Sequence, residues 1–395
     1  MIFSIFRLIN SRLLLIIMKR GYIRGLLGKN RFSRSFSHSS VNVIDSVPKF
    51  PPNSTIFSLI QPTGKIHLGN YLGAIRNWKD LSESQSPGTK YIFGIADLHA
   101  ITVPQNPAKL KENRYEAIAS LLSAGIDPDA CILYHQSSVP EHTELNWILT
   151  CITSMGSLNR MTQWKLKSQQ IETSTIFDED VLGKTKAGLL CYPVLQAADI
   201  LIFKSTHVPV GDDQSQHLEL CRNIASTFNH TFKTNHFPLP STLLTPAKKM
   251  LSLRNPTKKM SKSDADQNSC IYVTESPDAI AKKIKKATTD SIQGKIYYDP
   301  ENRPGISNLI NIISGLSRKS VVDTVEDLLW VKDHKQLKDH VTELIVEEFA
   351  DKRHLFNELM TDFSYLDLIC KVGTTKAREV TLVNIQEIKK IVGLD

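Results

Sequence analysis

The first 44 residues contain no aspartate or glutamate, and Asp45 is the first acid of the chain. Cysteine is scarce too. The six residues Cys131, Cys151, Cys191, Cys221, Cys270 and Cys370 lie far apart, with no C-x-x-C pair. That spacing excludes a zinc or disulfide framework and suits small core residues in a reducing compartment. Apolar runs are short: residues 13–18 form a run of six, against the roughly 20 that a spanning helix needs, so no membrane partner is expected. There are no internal repeats and no long low-complexity segment.

The chain carries 48 Lys and Arg against 40 Asp and Glu, a formal net charge of +8. The acid-free leader holds eight bases, Arg7, Arg12, Lys19, Arg20, Arg24, Lys29, Arg31 and Arg34, which account for the whole excess. Without them there is no global basic field for a nucleic acid. The leader is Arg-rich, Ser-containing and interleaved with Phe3, Phe6, Leu8 and Ile9. That is the composition of a mitochondrial transit peptide, expected over residues 1–44, with a secretory signal as the alternative.

Two short motifs carry chemistry. The first, Gln61-Pro62-Thr63-Gly64-Lys65-Ile66-His67-Leu68-Gly69-Asn70, follows an apolar strand-like run at 55–60. It passes through a Pro/Gly turn into a helical spacing of Leu68, Tyr71, Leu72, Ile75 and Trp78. A helix start offers free N–H groups and a positive dipole end to phosphate. Gly69 leaves room for a flat base, and His67 and Asn70 are donors. Alone, the motif reads equally as a plain turn with a surface histidine. The second, Lys258-Lys259-Met260-Ser261-Lys262-Ser263, is a basic, hydroxyl-rich and mobile loop by composition. Its lysines suit the charge that develops on a leaving pyrophosphate.

Together these motifs resemble the H-x-G-H-like element and K-M-S-K-S loop of class I aminoacyl-tRNA synthetases. Further segments narrow the resemblance to the tryptophanyl-tRNA synthetases: Asp97-Leu98-His99-Ala100-Ile101-Thr102, Arg160-Met161-Thr162-Gln163-Trp164-Lys165, Tyr192-Pro193-Val194-Leu195-Gln196-Ala197-Ala198-Asp199 and Val208-Pro209-Val210-Gly211-Asp212-Asp213-Gln214. The likeness runs from about residue 55 to the C-terminus and weakens in the last 80 residues or so. Asn70 in place of a final His is usual in this family. Leu59 stands where many relatives have Gly, and residues 169–184, with acidic Asp178-Glu179-Asp180, look like an inserted surface loop.

The resemblance implies activation of L-tryptophan by ATP, with Mg²⁺ bound through the ATP phosphates and no structural metal, then transfer to the terminal ribose of tRNA(Trp). Carried over residue by residue, the catalytic set is Thr63, His67, Asn70, Lys167, Lys259, Ser261 and Lys262. The ATP-binding set adds Gln61, Gly69, Gly211, Asp212 and Met260. Tryptophan would be held by Phe57, Val208 and Val210 as apolar walls, with Tyr192 and Gln214 at its α-amino group. Asp199 would accept from the indole N–H; without the resemblance it reads as a polar helix end packing on a loop. The resemblance also implies a homodimer, and with the leader it implies the mitochondrial matrix. Tyrosyl-tRNA synthetases, small-molecule nucleotidylyltransferases and a non-catalytic RNA-binding paralogue are the rival readings.

The expected fold is α/β: a Rossmann-like parallel-sheet catalytic domain over 51–275, then an all-helical C-terminal anticodon-binding domain over 276–395. Strand-like runs at 55–60, 91–96, 131–135 and 206–210 alternate with helical stretches at about 68–80, 106–124, 140–152, 187–200 and 212–228. From Ser276, an N-cap before Pro277, the chain reads as helical throughout. Lys282-Lys283-Ile284-Lys285-Lys286 and the C-terminal Lys376, Arg378, Lys389 and Lys390 are candidate tRNA contacts or solvated faces. N-terminal sequencing of the mature protein should find its first residue between about positions 34 and 40. An intact Met1 would refute the transit peptide.

Overall fold

The computed structural model describes residues 50–395, except 84–86, 169–174, 176–177, 184, 212–213, 245–249, 263 and 293. All of these belong to one compact unit, Val43–Asp395. The leader, Asp212 and Ser263 therefore lie outside the described residues.

The chain runs β1 (Thr55–Ile60), α1 (Leu68–Asn70), a π-helical turn (Tyr71–Ile75), α2 (Arg76–Glu83), β2 (Lys90–Ile95), α3 (Asp97–Ala100), α4 (Pro107–Ser123) and β3 (Ile132–His135). Next come α5 (Glu141–Ile152), α6 (Met155–Asn159), α7 (Thr162–Lys167), α8 (Glu179–Leu182), α9 (Ala187–Leu201), β4 (His207–Val210), α10 (Ser215–Thr231) and β5 (Ser241–Leu244). Five helices complete it: α11 (Pro277–Lys285), α12 (Pro304–Ser317), α13 (Val321–Asp327), α14 (His334–Leu359) and α15 (Phe363–Val392).

All strand pairings are parallel, in the order β3-β2-β1-β4-β5. The order reverses between β1 and β4, and the crevice beyond the strand ends at such a point is where open α/β sheets bind ligands. The first motif leaves β1 and Gly211 leaves β4 at that place. The strands read as near-continuous apolar runs because both faces are covered. Alternate residues divide between two cores: Ile56, Tyr91, Phe93, Ile95 and Leu133 face one, and Phe57, Ile92, Tyr134 and Val208 face the other.

The four strands and five helices expected around the sheet all form, with ends shifted by up to three residues. β5 escaped the reading because Ser241–Leu244 is four residues long and follows Pro238 and Pro240. The chain beyond Ser276 is not helical throughout. The described residues of 287–303 are irregular, with Gly294 at φ +93°. The fully buried Arg303 organises them, pairing with Asp290 at 2.8 Å and donating to the carbonyls of Ile292 and Lys295, both at 3.3 Å. Ser276 does cap α11, accepting from the Ala279 N–H at 3.3 Å. In the inserted segment, Asp178 and Glu179 are exposed, but Val181 is buried in the second core. The six cysteines are free; Cys131, Cys221 and Cys270 are core residues, whereas Cys151 is exposed. Among the described residues, no helix is long and apolar enough to cross a membrane.

α15 lies along β3 and covers what would otherwise be an open sheet edge. Gly373 permits this: a Cβ there would sit 1.8 Å from the Leu133 carbonyl oxygen. Gly373→Ala should therefore destabilise the protein by about 1–3 kcal/mol in chemical denaturation, because backbone must move to admit the methyl group. Gly188→Ala, with nothing within 4 Å of its new carbon, is the control and should be neutral or stabilising.

Candidate active site

The two motifs, remote in sequence, meet through backbone pairing. Leu68 N–H donates to the Ile271 carbonyl at 2.8 Å, and Val273 N–H to the Ile66 carbonyl at 3.0 Å. His67 thus bridges Tyr272 in antiparallel fashion. The lysine loop is fixed to the same region. Lys259 bridges Leu251, and Met260 N–H donates to the Met250 carbonyl at 2.9 Å. Met260, the loop's apolar residue, is buried and anchors it in the core that holds Leu68. A loop that composition marks as mobile is pinned here by three kinds of contact.

The third is Lys262. Its Nζ lies 3.1 Å from Thr63 Oγ1, 3.1 Å from the Gly64 carbonyl and 3.3 Å from the Thr63 carbonyl. Burial pushes its ammonium down to about 8. Gly64 is required at this turn: its φ is +85°, and a Cβ would lie 3.2 Å from both Asn113 Oδ1 and Glu116 Oε2. Thr63 Oγ1 accepts from Lys262 and keeps its own O–H for donation.

His67 caps α1. Its Nδ1 accepts from the N–H of Gly69 at 3.0 Å and of Asn70 at 3.3 Å. An acceptor Nδ1 places the proton on Nε2, so the ring is a neutral donor. Burial first, then the Lys262 and Lys259 charges, push its pKa down to about 3. Gly69 serves this cap: a Cβ there would meet His67 Cε1 at 2.9 Å. The reading of Gly69 as a seat for a base has this intramolecular reason beside it. Lys259 and Gln61 are exposed, Ser261 and Asn70 half-buried, and Gly211 exposed at the end of β4.

The amino-acid residues gather on the other core. Phe57 is buried and stacks on Phe203 at 5.6 Å between centroids. Val208 is buried and Val210 half-buried. Tyr192 donates to Gln163 Oε1 at 2.9 Å and lies 3.2 Å from His217 Nε2. Gln214 Oε1 lies 2.9 Å from His217 Nδ1, which joins the two expected α-amino contacts in one network. Lys167 Nζ sits 4.8 Å above the Tyr192 ring, next to the same cluster. Leu59, unusual for the resemblance, fills the space beside Gly94 of β2: a Cβ on Gly94 would be 2.9 Å from Leu59 Cδ2.

Asp199 is neither at the end of its helix, which runs on to Leu201, nor packed on a loop. It is 1% exposed. Its Oδ2 is 2.8 Å from His99 Nε2, its Oδ1 is 2.9 Å from His142 Nδ1, and the Gln136 amide reaches both oxygens at 2.8 and 2.9 Å. Burial pushes its pKa up, but His142 and His99 outweigh that and hold the carboxyl well below the usual range. Sequence reasoning missed Gln136, His142, Gln163 and His217 as site residues. Only His217, three residues after Gln214 at a helix start, had a local signal.

Some candidate tRNA cations are engaged internally. Lys283 donates to the Cys270 carbonyl at 2.7 Å and pairs with Glu275, fastening α11 to the strand-like segment beside His67. Arg378 pairs with Glu141 at 3.1 Å and Lys389 with Glu144, so both tie α15 to α5. Lys282, Lys285 and Lys286 stay exposed.

Residues 51–352 match the family described as tRNA synthetases class I (W and Y). The mitochondrial tryptophan–tRNA ligase of Saccharomyces cerevisiae is 53% identical over 347 residues, covering 86% of this chain and 91% of that protein. Its counterpart in Schizosaccharomyces pombe is 41% identical over 349 residues, covering 87% and 96%. Among solved structures, tryptophanyl-tRNA synthetase from Campylobacter jejuni complexed with ADP and tryptophane superposes with a TM-score of 0.70 at 33% identity, covering 86% of this chain and all of that one. The enzyme from Mycoplasma pneumoniae gives 0.75 at 31%, covering 87% and 98%.

A lysine that titrates near 8 in the free protein loses its charge within a measurable range. kcat/KM for ATP should fall as pH rises through about 8, since this ratio reports groups of the free enzyme. In Lys262→Arg the fall should vanish, because a guanidinium stays protonated. A flat profile to about pH 9.5 in the unaltered protein would show that Lys262 charge is not used.

Proposed function

The chain belongs to the class I tRNA synthetases (W and Y), and from that premise we propose that it is a tryptophan–tRNA ligase of mitochondrial translation. It joins L-tryptophan to ATP to give tryptophanyl-adenylate and pyrophosphate, then passes tryptophan to the 3′-terminal ribose of tRNA(Trp). The observation that carries the reading is the meeting of the two phosphate motifs at Lys262, 3.1 Å from Thr63 Oγ1 and the Gly64 carbonyl.

The tryptophan carboxylate is ionised near neutral pH and needs no general base. Its oxygen bonds to the α-phosphorus as the bond from that phosphorus to the pyrophosphate oxygen breaks. Catalysis is then positioning and charge stabilisation. His67 donates from Nε2 to a phosphate oxygen, with Asn70 and Thr63 beside it. Lys259, Lys262 and Lys167 supply the cations, and Ser261 and Met260 shape the loop that carries two of them. Gln61, Gly69, Gly211 and Asp212 complete the nucleotide site. Mg²⁺ enters as part of the MgATP substrate, held through phosphate oxygens; the lysines here cannot ligate it. Phe57, Val208 and Val210 enclose the indole, Asp199 accepts its N–H, and Tyr192 and Gln214 hold the α-amino group.

Residues 276–395 form the anticodon-binding helical domain, and residues 1–44 direct the protein to the mitochondrial matrix. The names of the two yeast relatives support the compartment. The working assembly is a homodimer; Trp147 and Met155 are among the large apolar side chains left exposed.

ATP–pyrophosphate exchange tests the reading. Tryptophan should support exchange, with tyrosine and phenylalanine slower by about 10⁴. Lys262→Ala should slow exchange by roughly 10²–10³ while sparing tRNA binding. Exchange with tyrosine and none with tryptophan would overturn the assignment.

A further inference from the structure

Asp199 is surrounded by donors, and they are not equivalent. His99 keeps slight exposure and meets Tyr192 edge-on at 6.1 Å. His142 is wholly buried, stacked with Tyr134 at 5.8 Å and tilted against Phe203 at 5.8 Å. His142 Nε2 is 2.9 Å from Tyr134 Oη, and its Nδ1 is 2.9 Å from Asp199 Oδ1. Tyr134 is itself fully buried on β3. When the phenol donates to Nε2, the ring proton sits on Nδ1, on the side of the carboxylate. His142 thus stands between Tyr134 and Asp199, hydrogen-bonded to the first and in ion-pair contact with the second.

The count of acceptor positions gives this arrangement a purpose. A carboxylate has about four lone-pair positions. Four contacts fall on it, two on each oxygen: His99 and Gln136 on Oδ2, His142 and Gln136 on Oδ1. The Gln136 amide is shared between the two oxygens, so it is the contact that can yield a position to a further donor, and an indole has one N–H to give. We propose that His142, held in place by Tyr134, is a specificity-determining positioning residue that orients Asp199 so that the position it shares with the Gln136 amide meets the indole N–H of tryptophan. This rests on Asp199 being the indole partner.

His142 sits on α5, 57 residues from Asp199 in sequence, and contacts the carboxylate from within the second core. It acts through Asp199 and not on the reacting atoms. Its loss should therefore weaken the reading of the N–H more than it weakens the chemistry at phosphate. Charged-partner hydrogen bonds of this kind change affinity by about 10- to 100-fold.

The test compares tryptophan with its benzothienyl analogue, in which sulfur replaces the indole N–H, as the ratio of kcat/KM in ATP–pyrophosphate exchange. His142→Leu should lower that ratio about tenfold or more, raising KM for tryptophan more than it lowers kcat. His142→Asn, whose amide keeps a donor near the Nδ1 position, should restore the ratio to within about threefold of the unaltered protein. Tyr134→Phe removes only the tether, and a partial fall of the ratio is expected even where His142→Leu fails to fold. Asp199→Asn is run alongside. If it collapses the ratio while folded His142→Leu and Tyr134→Phe leave it unchanged, His142 has no such role and the proposal is overturned. If Asp199→Asn leaves the ratio intact, Asp199 does not read the indole, and the underlying assignment fails first.

Discussion

The antiparallel pairing of residues 66–68 with 271–273 is the constraint on which the nucleotide site depends. It makes one wall from segments some 200 residues apart, with His67 bridged to Tyr272. The pairing sets the entry of the chain into α1, which in turn lets His67 turn back and cap that helix through Nδ1. It also places residues 250–262 alongside, so that Met260 fills the core and Lys262 reaches the turn after β1. Lys283 holds the far side by bonding the Cys270 carbonyl. If this pairing were lost, the cap, the loop anchor and the lysine contact would go together.

Charge in this protein is a local matter. Beyond the leader, acids and bases balance, so no long-range field draws an anion to the site. What concentrates positive charge is burial of Lys262 together with the nearness of Lys259. Two unit charges about 4 Å apart interact by about 4 kcal/mol at an effective dielectric near 20, several times the value in water. A partly desolvated lysine is therefore a stronger partner for a polyphosphate than an exposed one, at the cost of a lowered pKa. His67 shows the complementary effect: burial first, and then the same cations, keep its ring neutral. It serves as a hydrogen-bond donor of fixed tautomer, and the lysines alone bring charge.

The residues proposed to hold ATP could be picked out in sequence because they sit in two compact motifs whose spacing has local causes. Turn, cap and helix start follow one another from Gln61 to Asn70, and three lysines crowd one loop. The sheet was legible for a similar reason, since strands covered on both faces read as unbroken apolar runs. The environment of Asp199 was not. Gln136 and His142 reach it from the ends of β3 and α5, 63 and 57 residues away, and neither position has a local pattern that marks it. Arg303 is another case. Read as helix, its segment is an irregular turn held by a buried guanidinium, and only the fold reveals the three backbone and carboxylate partners that make it so.

The two halves of the site are held in different ways, and the difference bears on how the enzyme works. On the side proposed for tryptophan, Asp199, His142, Tyr134 and Gln136 are all buried and bonded within the core. Moving any of them would leave a buried polar group unpaired, which costs about 1–3 kcal/mol or more. The selection of the side chain proposed for these residues is therefore built into the resting fold. On the ATP side, Lys262 is satisfied by two backbone carbonyls and a hydroxyl. To serve a leaving pyrophosphate it exchanges those neutral oxygens for anionic ones. The exchange needs only a shift of one flexible side chain and its loop, and charge-assisted bonds to phosphate are about twice as strong as those they replace. The Lys262 contact, one of the three that pin the loop, is thus weak enough to be displaced by the phosphates of the substrate. On the proposed assignment, the side-chain pocket is set before binding, while the charge of Lys262 is released to the phosphates once they arrive.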